Sequence, residues 1–259
     1  ADWRLDCLTS ATVQQGLGQF RHMWGYGTSP IIHQGRVILH TGPGERVLVM
    51  ALDVSTGETL WEAEEPLEGG PDRNAAGKYM GSWSTPVVAR VDGQEQIIVA
   101  LPTRVNAYDP HTGAIISTCR GVGHDRGDLV YSSPVIAGDI CFVTGGFRGP
   151  AMAIRLGGKG DVTGTHRLWR RENQPQRIGT GVHANNRVFR PNAGPGTIDC
   201  IDPASGEVVW TERTGMHWAS LVMADNLLYA VSRDAVTFVF RPNPVEWEPV
   251  AKNNLGGTC

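Results

Sequence analysis

The residues best suited to chemistry are eight histidines, five cysteines and one loop dense in charge. The loop His124-Asp125-Arg126-Gly127-Asp128 puts two carboxylates and an imidazole within five residues. Those groups can ligate a cation, but the same residue types build an ordinary solvated turn, and the loop is read as that. His166, His183 and His217 share no spacing that implies a metal, and each reads as a surface or hydrogen-bonded histidine. Cys7, Cys119, Cys141, Cys200 and Cys259 are scattered singly, so there is no CxxC metal or redox motif. Their odd number leaves one unpaired within a monomer. Gly-x-Ser-x-Gly and His-Glu-x-x-His are both absent. Gly42-Pro43-Gly44 lacks the Gly-Lys-Ser/Thr continuation of a phosphate loop and reads as a turn. No catalytic residue, cofactor-binding residue or metal ligand is assigned.

The elements that must carry these residues are short strands. Of the 259 residues, 33 are Gly, nearly double the usual share of about 7%. Glycines spread without low complexity mean many tight turns and argue against a helical bundle. Hydrophobic residues at 41%, charged residues at 19% and a net charge of -3 are globular values. No basic run is present, which argues against a nucleic-acid surface. No apolar run approaches the roughly 20 residues of a membrane helix. The first residue is Ala1, with no secretion signal after it. The sequence is therefore read as a chain that has lost a leader or as an excerpt of a longer one.

Two patterns repeat. One opens each unit: Gly27-Thr28-Ser29-Pro30, Trp83-Ser84-Thr85-Pro86 and Tyr131-Ser132-Ser133-Pro134, each followed by β-branched residues. Pro at a strand start removes no central ladder bond. The other closes it: Ala51-Leu52-Asp53-Val54-Ser55-Thr56-Gly57 with Trp61, Ala107-Tyr108-Asp109-Pro110-His111-Thr112-Gly113, and Cys200-Ile201-Asp202-Pro203-Ala204-Ser205-Gly206 with Trp210. Here Asp53, Asp109 and Asp202 accept backbone amides, and Gly takes the left-handed position. Trp61, Trp169 and Trp210 are expected to dock between units. Ser117 stands where the second unit's Trp would be, and the fifth unit has Arg241-Pro242-Asn243-Pro244 in place of the Asp turn.

Five units of about 40 to 56 residues, each with about four short strands and almost no helical period, predict an all-β β-propeller. The blades are placed near residues 25–64, 81–121, 129–172, 176–213 and 215–253 of a single domain, 1–259. About five to six blades fit in this chain, which is expected to be part of a seven- or eight-bladed ring.

The Ala-x-Asp-x-x-Thr-Gly-x-x-x-Trp element at Ala51–Trp61, its near copy at Cys200–Trp210 and the Ser/Thr-Pro openings resemble the pyrroloquinoline-quinone (PQQ)-like, or tryptophan-docking, β-propeller repeat. The resemblance runs from about residue 24 to 255. Some members of that family are quinoprotein dehydrogenases. Others are cofactor-free scaffolds, such as the assembly factor of the bacterial outer-membrane β-barrel machinery, and many are exported bacterial proteins. The stretches Gly160–His166 and Asn192–Gly196 look most like the exported group. The resemblance therefore implies a periplasmic or exported protein.

The resemblance also frames the choice between enzyme and scaffold. Catalytic members hold the quinone under a disulfide of adjacent cysteines and beside Ca²⁺ on clustered acids. This chain has no adjacent cysteines, and no acid cluster marks its strand starts. The reading is a noncatalytic binding or assembly platform with no cofactor. The alternative is a PQQ- and Ca²⁺-dependent alcohol or sugar dehydrogenase whose ligands lie partly outside the chain. The loops before the first strands place Trp24, Tyr26, Trp83, Tyr131, His217 and Trp218 at one channel mouth, with Arg21 and His22 beside them. Aromatic and polar groups there suit a protein or glycan partner. The charged, Gly-rich stretch from Glu64 to Lys78 is longer than a hairpin needs and is placed over that mouth or read as an insertion.

Overall fold

A computed structural model describes residues 25, 27–42, 46–65, 79–125, 127–146, 148–172 and 178–257. Blade 1 is the antiparallel sheet of β1 (Ile31–His33), β2 (Arg36–His40), β3 (Val47–Asp53) and β4 (Thr59–Glu65). After β5 (Tyr79–Ser82), blade 2 holds β6 (Val87–Val91), β7 (Gln94–Ala100), β8 (Arg104–Tyr108) and β9 (Ile115–Arg120). Next comes β10 (Gly127–Val130), which pairs in parallel with β5. Blade 3 consists of β11 (Val135–Ala137), β12 (Ile140–Thr144), β13 (Ala151–Arg155) and β15 (Arg167–Arg171). Between its last two strands lie β14 (Gly160–Asp161) and the single-turn helix α1 (Thr163–His166). Blade 4 runs β16 (Val182–Ala184), β17 (Arg187–Asn192), β18 (Thr197–Ile201) and β19 (Val208–Arg213). Blade 5 runs β20 (Val222–Ala224), β21 (Leu227–Val231), β22 (Val236–Phe240) and β23 (Pro249–Asn254).

The middle strands read as unbroken apolar runs because both their faces are covered. Ile97 and Val99 pack toward blade 1 with Ile38, Val49 and Ala51. Their neighbours Ile98 and Ala100 pack toward blade 3 with Cys141, Val143 and Met152. Alternation survives as a change of partner, not of polarity. The hairpins Gln34–Gly35, Asp92–Gly93, Asn185–Asn186 and Asp225–Asn226 have positive φ at both turn residues, the I′ geometry that suits strand twist.

The turns before the outer strands are held by one carboxylate each. Asp53 Oδ1 accepts the amides of Ser55 and Thr56 at 2.7 and 3.0 Å. Asp109 does the same for His111 and Thr112 at 2.8 and 2.9 Å, and Asp202 for Ala204 and Ser205 at 2.9 and 3.0 Å. The amide bonds of Ser55 and Thr56 hold the Asp53 carboxyl below the usual carboxylate range. Blade 5 keeps this device with Asn243, whose Oδ1 accepts Val245 and Glu246 at 2.9 and 3.2 Å. The expectation that this blade replaces the Asp turn thus holds for the residue type, while an Asx turn persists.

The turns of blades 2, 4 and 5 each receive the indole of the preceding blade. Trp61 Nε1 donates to Pro110 O at 3.1 Å, Trp169 to Pro203 O at 2.9 Å and Trp210 to Asn243 O at 3.1 Å. At Gly113, φ is +71°, and a Cβ there would lie 2.4 Å from Trp61 Cε3. Glycine is needed twice over, for backbone conformation and for the ring that lies on it. Buried polar groups meet partners both across seams and within blades. Arg104, Asn106 and Tyr108 converge on Glu65 across the blade 1–2 seam. In blade 4, Arg190 meets Asp199 at 2.6 Å, and Thr211 donates to the same carboxylate at 3.0 Å.

Candidate binding site

Antiparallel topology puts the loops before each first strand at the same end of the blades as the loops between second and third strands. A chain of hydrogen bonds ties this end together. Ser29 N donates to Thr85 Oγ1 at 3.0 Å, and Thr85 N to Ser133 Oγ at 3.1 Å. Ser133 N then donates to Thr180 Oγ1 at 3.0 Å, and Thr180 N to Ser220 Oγ at 2.9 Å. Every bond joins one blade to the next. The repeated Ser/Thr-Pro openings therefore have a physical cause: Thr85 and Ser133 each supply a hydroxyl acceptor backward and an amide donor forward, and Ser29 starts the chain with its amide.

Four of the six mouth candidates lie within the described residues. Trp83 donates from Nε1 to Gly25 O at 2.7 Å, and its ring lies 5.7 Å from that of Tyr131. Tyr131 is half-buried against Gly146, where a Cβ would come within 2.4 Å of the ring, and burial raises its hydroxyl pKa. These two rings are packed into the loop framework. His217 is buried at 0% exposure. Its Nε2 lies 2.6 Å from Thr214 Oγ1 and its Nδ1 3.0 Å from Val231 O, and burial lowers its pKa. It fixes the loop and presents nothing to a ligand, which corrects its expected place on the mouth surface. Trp218 is 52% exposed, and Met216, two positions earlier, is 40% exposed. The Arg233 guanidinium stacks over the Trp218 ring at 5.3 Å. Trp24, Tyr26, Arg21 and His22 lie outside the described residues, as does 66–78 of the Glu64–Lys78 stretch.

Several other features complete this end. His40 is buried, its Nδ1 3.4 Å from Ser84 O, and burial pulls its pKa down to about 4. In the charged loop, Asp128 is buried and accepts His124 N at 3.0 Å. Asp125 is exposed. The loop is closed on itself, and among the described residues no group of three or more His, Cys, Asp or Glu side chains can hold a metal ion. Sequence reasoning missed Arg233, because a cation stacked on a ring 15 positions away leaves no local pattern.

A family model described as outer membrane protein assembly factor BamB matches residues 3–211 and 158–241. Among solved structures, the chain is similar to BamB from Moraxella catarrhalis, with TM-score 0.58 and 15% identity over 88% of this chain and 64% of that one. It is also similar to quinohemoprotein alcohol dehydrogenase from Comamonas testosteroni, with TM-score 0.63 and 16% identity over 90% of this chain and 43% of that one. The Cps50 (Swd1) β-propeller domain of Myceliophteria thermophila matches with TM-score 0.55 and 13% identity, over 92% and 75%. At such identities the likeness shows a β-propeller fold. The chain spans less than two thirds of the first two structures. No curated protein matches the sequence. Among the described residues no helix is long and apolar enough to cross a membrane.

Proposed function

The chain belongs to the family described as outer membrane protein assembly factor BamB, a family of PQQ-like propellers, and on that premise we propose that it is a noncatalytic platform that binds a partner protein at the loop end of its blades. The observation that carries this reading is Trp218. The docking indoles Trp61, Trp169 and Trp210 spend their N–H groups and much of their surface on neighbouring blades. Trp218 is half-exposed, stacked under Arg233 and free of any such role. Trp and Arg dominate the energetics of protein interfaces because they bury large areas at low entropy cost. A glycan stacked on the same ring is the second ligand class that this geometry accommodates.

The family name supports a role beside outer-membrane protein assembly, and with it an exported, periplasmic setting. The reading includes no cofactor and no nucleic-acid partner. It is tested with a photo-crosslinking residue at position 218, mixed with periplasmic extract and mapped by mass spectrometry. Crosslinks from position 218 to one protein, absent when the probe sits at the buried position 61, support the reading. Crosslinks equal at both positions, or none, contradict it.

The dehydrogenase alternative requires PQQ and Ca²⁺ to bind. Titration with both, followed by tryptophan fluorescence, is expected to leave the emission unchanged. Saturable quenching with dye reduction on alcohols or sugars would replace the platform reading with an oxidoreductase.

A further inference from the structure

The seam between blades 2 and 3 is closed differently from its neighbours. Strand register makes this explicit: Ala51 pairs with Trp61, Ala153 with Trp169 and Cys200 with Trp210. In blade 2 the same position pairs Ala107 with Ser117. With no indole there, β14 adds to the edge of β9 as a parallel fifth strand, Gly160 opposite Ser117 and Asp161 opposite Thr118. Val162, buried at 4%, follows it into the seam. The replacement is smaller than an indole, and a cleft of about 20 Å³ remains. A space of that size holds one water-sized ligand.

Two thiols line this cleft from opposite blades. Cys119 stands on β9 and Cys141 on β12, among Ile98, Val105, Ile154 and Val162. Both are free and buried, at 2% and 0% exposure. Burial lifts their pKa values to about 11 and about 12, so both are protonated at neutral pH. Packed sheets lie about 10 Å apart, wider than the roughly 4.4–6.8 Å between Cα atoms that a disulfide spans. Two metal–sulfur bonds of about 2.3 Å each, added to the two side-chain stems, reach further than a single S–S bond does. No carboxylate lines the cleft, which disfavours hard cations that demand oxygen. Paired sulfurs select soft ions such as copper(I).

We propose that Cys119 and Cys141 form a two-thiol site for one soft monovalent cation of the copper(I) class, seated in the cleft left where blade 2 lacks its docking tryptophan. Binding breaks two S–H bonds, makes two metal–sulfur bonds and releases two protons to solvent, with no change of oxidation state. The bound unit carries one net negative charge. Arg167 near Cys119 offsets part of that charge, while Asp161 opposes it.

Silver(I) is the probe. The full chain with Cys7→Ser, Cys200→Ala and Cys259→Ser keeps only the two thiols in question. The expected result is one silver ion per chain, two protons released per ion, and a raised unfolding midpoint. Cys119→Ser and Cys141→Ser, added singly, should each weaken uptake at least tenfold while leaving the metal-free circular dichroism unchanged. No uptake, uptake that survives either substitution, or a Cys119–Cys141 disulfide in the purified protein would overturn the site.

Discussion

Single residues carry the contact between blades. Trp61 is 7% exposed and hydrogen-bonded to the next blade. Its replacement by Ala is expected to cost about 3–5 kcal/mol in urea unfolding, the range for large aromatic truncations. Gly113→Ala should also destabilise, because its positive φ and the indole on it leave no room for a Cβ. An unchanged midpoint in either variant would contradict the docking arrangement. His40 gives a pH signature. Its folded pKa, pulled by burial to about 4, lies below the usual imidazole value of 6.5. The unfolded chain therefore takes up the proton first as pH falls. Stability is full above about pH 6.5 and declines toward pH 4, by up to roughly 3 kcal/mol. His217, lowered by its own burial, acts in the same direction. His40→Asn should flatten this acid limb, and a wild-type stability that stays constant from pH 7 to 4 would refute the assignment.

At the scale of elements, the sequence shows what local chemistry dictates and hides what distant pairing dictates. The Asp turns stand out because carboxylate, Gly and Trp recur at fixed offsets. The blade 5 turn escapes that pattern because Asn243 does the work of Asp between two prolines. Strand β14 is invisible for a stronger reason: Gly160 and Asp161 become a strand only by pairing with β9, about 40 positions earlier. His217 looked like a mouth residue from its place beside Trp218, yet the loop turns its ring into the core. One substitution tests the blade 2–3 seam. Ser117→Trp restores the repeat consensus on paper, but Val162 and β14 already occupy most of the space. It should destabilise by about 1–3 kcal/mol through overpacking. A gain in stability would mean that the inserted strand is not what closes this seam.

For the whole molecule, four four-stranded sheets and one five-stranded sheet, joined by indoles and by a belt of hydroxyls, make a stiff frame. Rigid frames with irregular loops at one end present binding surfaces at low ordering cost. Such a frame suits the platform role proposed above. The direct test is the affinity of a crosslinked partner for wild type and for the Trp218→Ala/Arg233→Ala double variant, whose stability should match wild type. The platform account predicts at least a tenfold weaker Kd, about 1.4 kcal/mol or more, with the unfolding midpoint unchanged. A Kd equal to wild type would place the binding surface elsewhere and contradict the account.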